Sequence, residues 1–353
     1  MKILVVTHSY GQNGAAALLK SAMRHWSQSL GWEVDVLVDE KNFTEHGSEL
    51  SSIGVRPIKD TSIKAAYQLV LINTFTDIQY ANLFLGKIPT ALWVHEGASV
   101  IYHFPARPLE LIKLLSRPSL LIFQTQWQSQ DVFRSFIYHL PKEKIAIVPN
   151  GVDVATHKID KKKSTSPIHN IINIGSLSPL KRQFDLAAAV MSLSKKYSTH
   201  CRFIGNLEYK YLFSDAERRY LTDYPDVLYW DGSMNHENTM QALSESDIFC
   251  STSSDESFGL APIEAALLNV PVVISDLPVY KELGWVDGIN CLKFPVGNIA
   301  LLEAAIEKLM LDPSLRQHLT ANAHKLAQTF SHEKFLSNLT QALLKVAREK
   351  TNA

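Results

Sequence analysis

Short runs of β-branched and aliphatic residues, closed by Gly, Asn, Pro or Asp and separated by amphipathic stretches of helical period, recur along the whole chain. This alternation constrains the fold more than any other feature, because it is the signature of βαβ units whose strands pair in parallel. Strands are expected at 2–8, 33–39, 69–74, 90–95, 120–125 and 144–148, and again at 170–175, 200–205, 227–231, 248–252, 270–275 and 290–294. Helical periodicity is clearest at 15–30, 183–196, 237–244, 260–268, 299–311 and 331–348. Each half therefore reads as one doubly wound α/β domain. A length of 353 residues supports two such domains, each able to bury its own core, with a ligand expected in the cleft between them. The polar stretch 153–167, with Lys161-Lys162-Lys163 before Ser-Thr-Ser-Pro, has the composition of a linker, and its lysines are read as solvated.

Charge then narrows the function. Lys and Arg total 35, as do Asp and Glu, so the basic excess that holds a nucleic-acid backbone is missing. Residues 1–165 carry 18 basic and 14 acidic side chains, leaving 17 and 21 for the remainder. Within 101–144, Arg107, Lys113, Arg117, Arg134, Lys142 and Lys144 interleave with Tyr102, Phe104, Trp127, Phe133, Phe136 and Tyr138. Such a mixture docks helices on anionic membranes and equally serves as an ordinary surface over a core. Cys201, Cys250 and Cys291 are too few and too far apart for a disulfide framework or a Cys-x-x-Cys metal site. The apolar start is too short for a secretory signal, and no later run approaches a membrane span. A cytoplasmic protein, peripheral on the membrane's inner face at most, is expected.

The most informative segment runs Ser253-Ser254-Asp255-Glu256-Ser257-Phe258-Gly259-Leu260-Ala261-Pro262-Ile263-Glu264-Ala265-Ala266, directly after the expected strand 248–252. It reads strand, loop, helix. Pro262 suits a first helical turn, and Gly259 lets the backbone approach a ligand. The amides of Phe258, Gly259, Leu260 and Ala261 would face a phosphate at the carboxyl end of a parallel strand. Glu256 in the loop and Glu264 inside the helix would repel that phosphate unless each also met hydroxyl groups. A nucleotide sugar supplies diphosphate, ribose diol and sugar hydroxyls together.

This segment, with Glu264-Ala265 and the following Pro271-Val272-Val273, resembles the Glu-x7-Glu motif of the retaining family 4 glycosyltransferases. The resemblance implies the GT-B fold, two Rossmann-like doubly wound domains facing across a cleft. It gives Glu256 the transferred sugar and Glu264 the ribose. Ile174-Gly175-Ser176-Leu177-Ser178-Pro179-Leu180-Lys181-Arg182 resembles the family's Gly-Arg-Leu-x-x-x-Lys-Gly segment, which assigns Lys181 to the leaving diphosphate. The usual Arg is Ser176 here and the usual Gly is Arg182, so either Arg182 compensates or Ser176 donates a neutral hydrogen bond. Gly11-Gln12-Asn13-Gly14 resembles the Gly-rich donor-side loop, placing Gly14 against phosphate. Trp93-Val94-His95-Glu96-Gly97 resembles the strand-end His beside the reacting carbon, with Glu96 pointing to the other side of the strand. Val148-Pro149-Asn150-Gly151-Val152-Asp153 resembles the family's hinge, and the terminal helix one that crosses back to the first domain.

The expected organisation is an acceptor-side domain 1–165, a nucleotide-sugar domain 166–330 and a crossing helix 331–353. The expected reaction is retaining transfer to a saccharide or glycolipid in surface polysaccharide or glycoconjugate synthesis. With no Asp-x-Asp pair in the chain, neither metal nor other cofactor is expected. Two other functions stay open: a sugar-nucleotide 2-epimerase of the same fold, and a degenerate nucleotide-binding partner subunit.

Overall fold

The computed structural model describes residues 1–8, 10, 14–59, 67–84, 87–152 and 169–349. The chain forms two compact units, one of Met1–Gly151 with His332–Ala353, the other of Val152–Ser331. The expected linker, 153–167, lies outside the described residues.

The first unit holds a seven-stranded parallel sheet of β1 (Lys2–Val6), β2 (Glu33–Leu37), β3 (Val55–Ile58), β4 (Leu69–Asn73), β5 (Thr90–Trp93), β6 (Leu120–Phe123) and β7 (Ile145–Ile147). Their order is β3-β2-β1-β4-β5-β6-β7. The inner strands are apolar throughout because both faces are covered, as Leu69, Val70, Leu71 and Ile72 show by being wholly buried. Sequence periodicity missed β3, whose Pro57 argues against a strand anywhere but at an edge, where β3 lies. Its Arg56 forks onto Asp35 of β2 through Nε at 2.8 Å and Nη2 at 2.6 Å. Burial works to raise the Asp35 carboxyl, but the bonds from Arg56 and Tyr67 hold it below its ordinary value.

The expected helix at 15–30 is two pieces. An α-helix at Gly14–Arg24 widens into a π-turn at His25–Ser29, which carries the buried Trp26. The closing helix, His332–Glu349, packs onto this unit: Trp26 Nε1 donates to Thr340 Oγ1 at 2.9 Å, and Phe335 lies 5.7 Å from the Trp93 ring.

The second unit holds a six-stranded parallel sheet of β8 (His169–Ile174), β9 (Thr199–Ile204), β10 (Leu228–Gly232), β11 (Ile248–Ser251), β12 (Val272–Ser275) and β13 (Leu292–Phe294). Their order is β10-β9-β8-β11-β12-β13. Leu186, Val190 and Leu193 of the helix Gln183–Leu193 and Leu302, Ile306 and Leu309 of Ile299–Leu311 build its core with Ile171, Cys201 and Val273. The helix Pro313–Ala327 escaped the periodicity reading; Asp312 caps it by accepting from the Leu315 amide at 2.9 Å.

In both sheets the direction of winding reverses at one place, between β1 and β4 and between β8 and β11. The loops leaving neighbouring strands diverge there, which opens a crevice at their carboxyl ends. Most strands stop one or two residues before the sequence bounds, so His8, Thr74 and Thr252 belong to those loops. No described helix is long and apolar enough to cross a membrane.

Candidate active site

At the reversal in the second unit, the loops after β8 and β11 are tied together. Thr252 Oγ1 donates to the Lys181 carbonyl at 2.7 Å, and the Ser254 amide to the Leu180 carbonyl at 2.7 Å. Buried Gln183 draws in the Gly175 and Ser176 carbonyls through Nε2 at 3.2 and 3.0 Å. On this frame the Lys181 ammonium meets Glu256 Oε1 at 2.5 Å, and Ser253 Oγ donates to the same oxygen at 2.8 Å. Charge-assisted bonds of this kind are the strong ones, and both partners keep some solvent access. Two of the expected residues are thus brought together from opposite sides of the crevice.

The close approach of the strand ends depends on Gly205, which the sequence reading passed over. A Cβ there would stand 2.1 Å from the Gly175 oxygen and 2.7 Å from the Ser176 nitrogen. The visible signal was a glycine closing each of two adjacent strands. Ser176 itself is exposed. Arg182 caps the helix Gln183–Leu193 in a left-handed conformation, φ 49°, which gives glycine its preference at such a position. Its Nε is bound to Asp185 Oδ2 at 2.7 Å.

Beyond Glu256 the loop turns into the helix Leu260–Leu267 through Gly259, at φ +82°. A Cβ at Gly259 would press on the Tyr280 ring at 2.7 Å, so glycine is required for space as well as for conformation. The N-terminal amides of Leu260 and Ala261 belong to a helix start, where the backbone favours an anion. Phe258 is buried edge-on to Phe330 at 5.5 Å and anchors the turn. Glu264 lies inside the helix, partly accessible, and burial pushes its carboxyl up to about 7. A carboxyl so enclosed is better satisfied by hydroxyl donors than by water-stripped isolation.

In the first unit, His95 follows β5 with both ring nitrogens engaged. Nδ1 meets Gln124 Nε2 and Nε2 meets Asn73 Oδ1, each at 2.8 Å. The amide nitrogen can only donate and the amide oxygen only accept, so this amide assignment fixes the Nε2–H tautomer. Burial lowers His95 to about 3, which keeps it neutral. The arrangement suits a fixed hydrogen-bonding and steric role, not proton transfer near neutral pH. The Glu96 carboxylate instead receives the Phe75 and His95 amides, both at 2.9 Å, and the two side chains form no dyad. Burial raises Glu96 despite those amides. Gly14 opens the helix Gly14–Arg24, while Gly11, Gln12 and Asn13 lie outside the described residues.

The sequence reading also missed His8 and Asp77. Asp77 Oδ2 accepts from the His8 amide at 2.9 Å and meets His8 Nδ1 at 2.8 Å. Asp77 is 5% exposed and the His8 side chain 57%. Among the described residues no group of three His, Cys, Asp or Glu is placed to hold a metal ion.

Two doubly wound parallel units of this kind constitute the GT-B fold. Residues 156–326 match the family Glycosyl transferases group 1. The O-antigen biosynthesis glycosyltransferase WclY of Escherichia coli is 27% identical over 199 residues, 55% of this chain and 53% of that protein. The capsular polysaccharide biosynthesis glycosyltransferase CapM of Staphylococcus aureus is 25% identical over 191 residues, 50% of this chain and 47% of that protein. The matched region thus spans about half the length of these curated relatives. In three dimensions the chain resembles Anabaena HepE, solved in complex with UDP and glucose, with a TM-score of 0.78 and 20% identity over 98% of this chain and 100% of that one.

Proposed function

We propose that this protein is a retaining, metal-independent glycosyltransferase of family 4, moving a sugar from a nucleotide-diphosphate sugar to a saccharide or glycolipid acceptor. The named activities of WclY and CapM support a place in surface polysaccharide synthesis. The observation that carries the reading is the Lys181–Glu256 pair over the reversal of the second sheet. Each charge satisfies the other until a ligand arrives that can satisfy both separately. A nucleotide sugar does so: its diphosphate takes the ammonium and its sugar hydroxyls donate to the carboxylate, which Ser253 continues to hold.

As the bond from the anomeric carbon to the phosphate oxygen breaks, Lys181 and the amides of Leu260 and Ala261 meet the charge building on the diphosphate. The acceptor hydroxyl forms its bond to the same face, and its proton passes to the departing phosphate oxygen, leaving nucleoside diphosphate and glycosylated acceptor. Glu264 holds the ribose diol, Arg182 adds positive charge beside Lys181, and neutral His95 lines the reacting sugar. The positive charge comes from the chain, which is the basis for metal independence. In K181A and E256A, nucleoside diphosphate release at saturating donor should fall at least ~100-fold. Rates within a few-fold of wild type refute the site. Thermal shifts with UDP, GDP, ADP and CDP identify the donor class, since a ligand that binds only the native state raises Tm.

The reading includes contact with an anionic membrane through the helix Pro108–Leu115 and the turn after Arg134–Ile137. Leu109 and Tyr138 are 72% and 74% exposed, among exposed Arg107, Lys113 and Arg134. Co-sedimentation with anionic but not neutral liposomes is expected; equal recovery in the supernatant with both removes this part.

A further inference from the structure

We propose that His8, held by Asp77, is the residue of the first unit that receives a hydroxyl of the acceptor saccharide. The two residues leave β1 and β4, the neighbours between which the winding of the first sheet reverses, so they occupy the place where open α/β sheets bind ligands. The second unit uses the corresponding place for its own pair of unlike side chains, Lys181 and Glu256, again one from each loop. The parallel is one of position and construction, but the chemistry differs. Here the carboxylate is buried and the basic group faces outward, whereas a simple surface ion pair would leave both in solvent.

Asp77 receives both the His8 amide and the Nδ1–H of the ring, which orients the imidazole and leaves Nε2 directed away from its support. No described residue takes Nε2. The chemistry around it selects the ligand. Two carboxyl groups, Asp77 and Glu96, stand near the His8 imidazole, and the exposed residue Thr76 on the same loop pairs its hydroxyl with Thr74 Oγ1 at 2.8 Å. Such a crevice disfavours a phosphate and fits a neutral polyol, whose hydroxyls bond Nε2 whether the ring is neutral or charged and donate to the Thr76 oxygen, whose own hydrogen is turned to Thr74. The inference rests on the transferase reading above and assigns the acceptor side of the same reaction. His8 binds and orients in this scheme, while the transferred proton still leaves with the phosphate. Asp77 is a positioning residue that acts through His8.

The test uses the full chain, the nucleotide sugar selected by thermal shift and a panel of methyl glycosides of glucose, galactose, mannose, N-acetylglucosamine, rhamnose and fucose. At least one glycoside should raise nucleoside diphosphate release by the wild type. H8A should raise KM for that glycoside about 10-fold, the worth of one hydrogen bond. H8Q, which keeps a neutral acceptor, should recover part of the loss. D77N keeps the shape of the support but removes its charge. Asp77 and Glu96 both favour the charged imidazole, so the pH at which His8 titrates by NMR should fall in D77N while Tm changes little. Unchanged glycoside KM in H8A overturns the proposal, as does a panel that neither stimulates the wild type nor moves the His8 Nε2 resonance. The donor reading fails separately, if no nucleotide raises Tm and no nucleotide sugar is hydrolysed.

Discussion

Replacing Gly205 with alanine should loosen the donor loop without touching a charged residue. The new methyl carbon would sit 2.1 Å from the Gly175 oxygen, 2.4 Å from its carbonyl carbon and 2.7 Å from the Ser176 nitrogen. All three are backbone atoms, so no side chain can swing aside, and the loop leading to Lys181 has to move. Overpacking of this kind costs about 1–3 kcal/mol, and a glycine-only conformation occupied by alanine adds about 1–3 kcal/mol. The sum is about 2–6 kcal/mol, and at about 2–4 °C per kcal/mol for a domain of this size Tm should fall by about 4–24 °C. Gly232 is the internal control: it too has a positive φ, +71°, but a Cβ there meets nothing within 4 Å. G232A should therefore show the conformational cost alone. Calorimetry on both variants, with and without the best-binding nucleoside diphosphate, measures the difference. If G205A melts with G232A and binds nucleotide equally well, the glycine contact does not hold the loop and the structural argument is wrong.

The Glu264 carboxyl, raised from 4.5 to about 7, penalises the ligand-free fold increasingly as pH rises through that interval and no further above it. E264Q should accordingly raise the ligand-free Tm at pH 8 and leave it nearly unchanged at pH 4; a uniform shift at both values contradicts this. His95, lowered from 6.5 to about 3, should remain neutral in the folded protein between pH 5 and 8, with NMR showing the Nε2–H tautomer. Its contribution to stability is complete above pH 6.5 and is lost as pH falls toward 3, and a His95 resonance titrating near 6.5 would defeat the assignment. Phe335 of the closing helix is buried against Trp93, so F335A should destabilise the first unit by about 3–5 kcal/mol in a denaturant titration. A loss below about 1 kcal/mol means that the helix is only loosely attached.

What was legible in the amino acids is whatever neighbours in sequence decide. Continuous apolar runs such as 69–72 can be satisfied only as strands covered on both faces, and the alternation with helices selects parallel sheets. The Ser253 to Glu264 segment likewise shows loop, turn and helix start in its own order, because Gly259 and Pro262 act on the backbone where they stand. The β3 edge strand was hidden for the same local reason, since Pro57 weakens a period that pairing with β2 then overrides. Tertiary structure decided which loops meet. Lys181 and Glu256 are 75 residues apart and His8 and Asp77 are 69 apart, yet each pair sits over one reversal of strand order. Strand order is a property of the closed sheet, carried by no single stretch of chain, so periodicity shows that the loops exist but not which side chains they bring within hydrogen-bonding distance. The same folding sets proton affinities: enclosure, not residue type, makes His95 a neutral ring and Glu264 a reluctant acid.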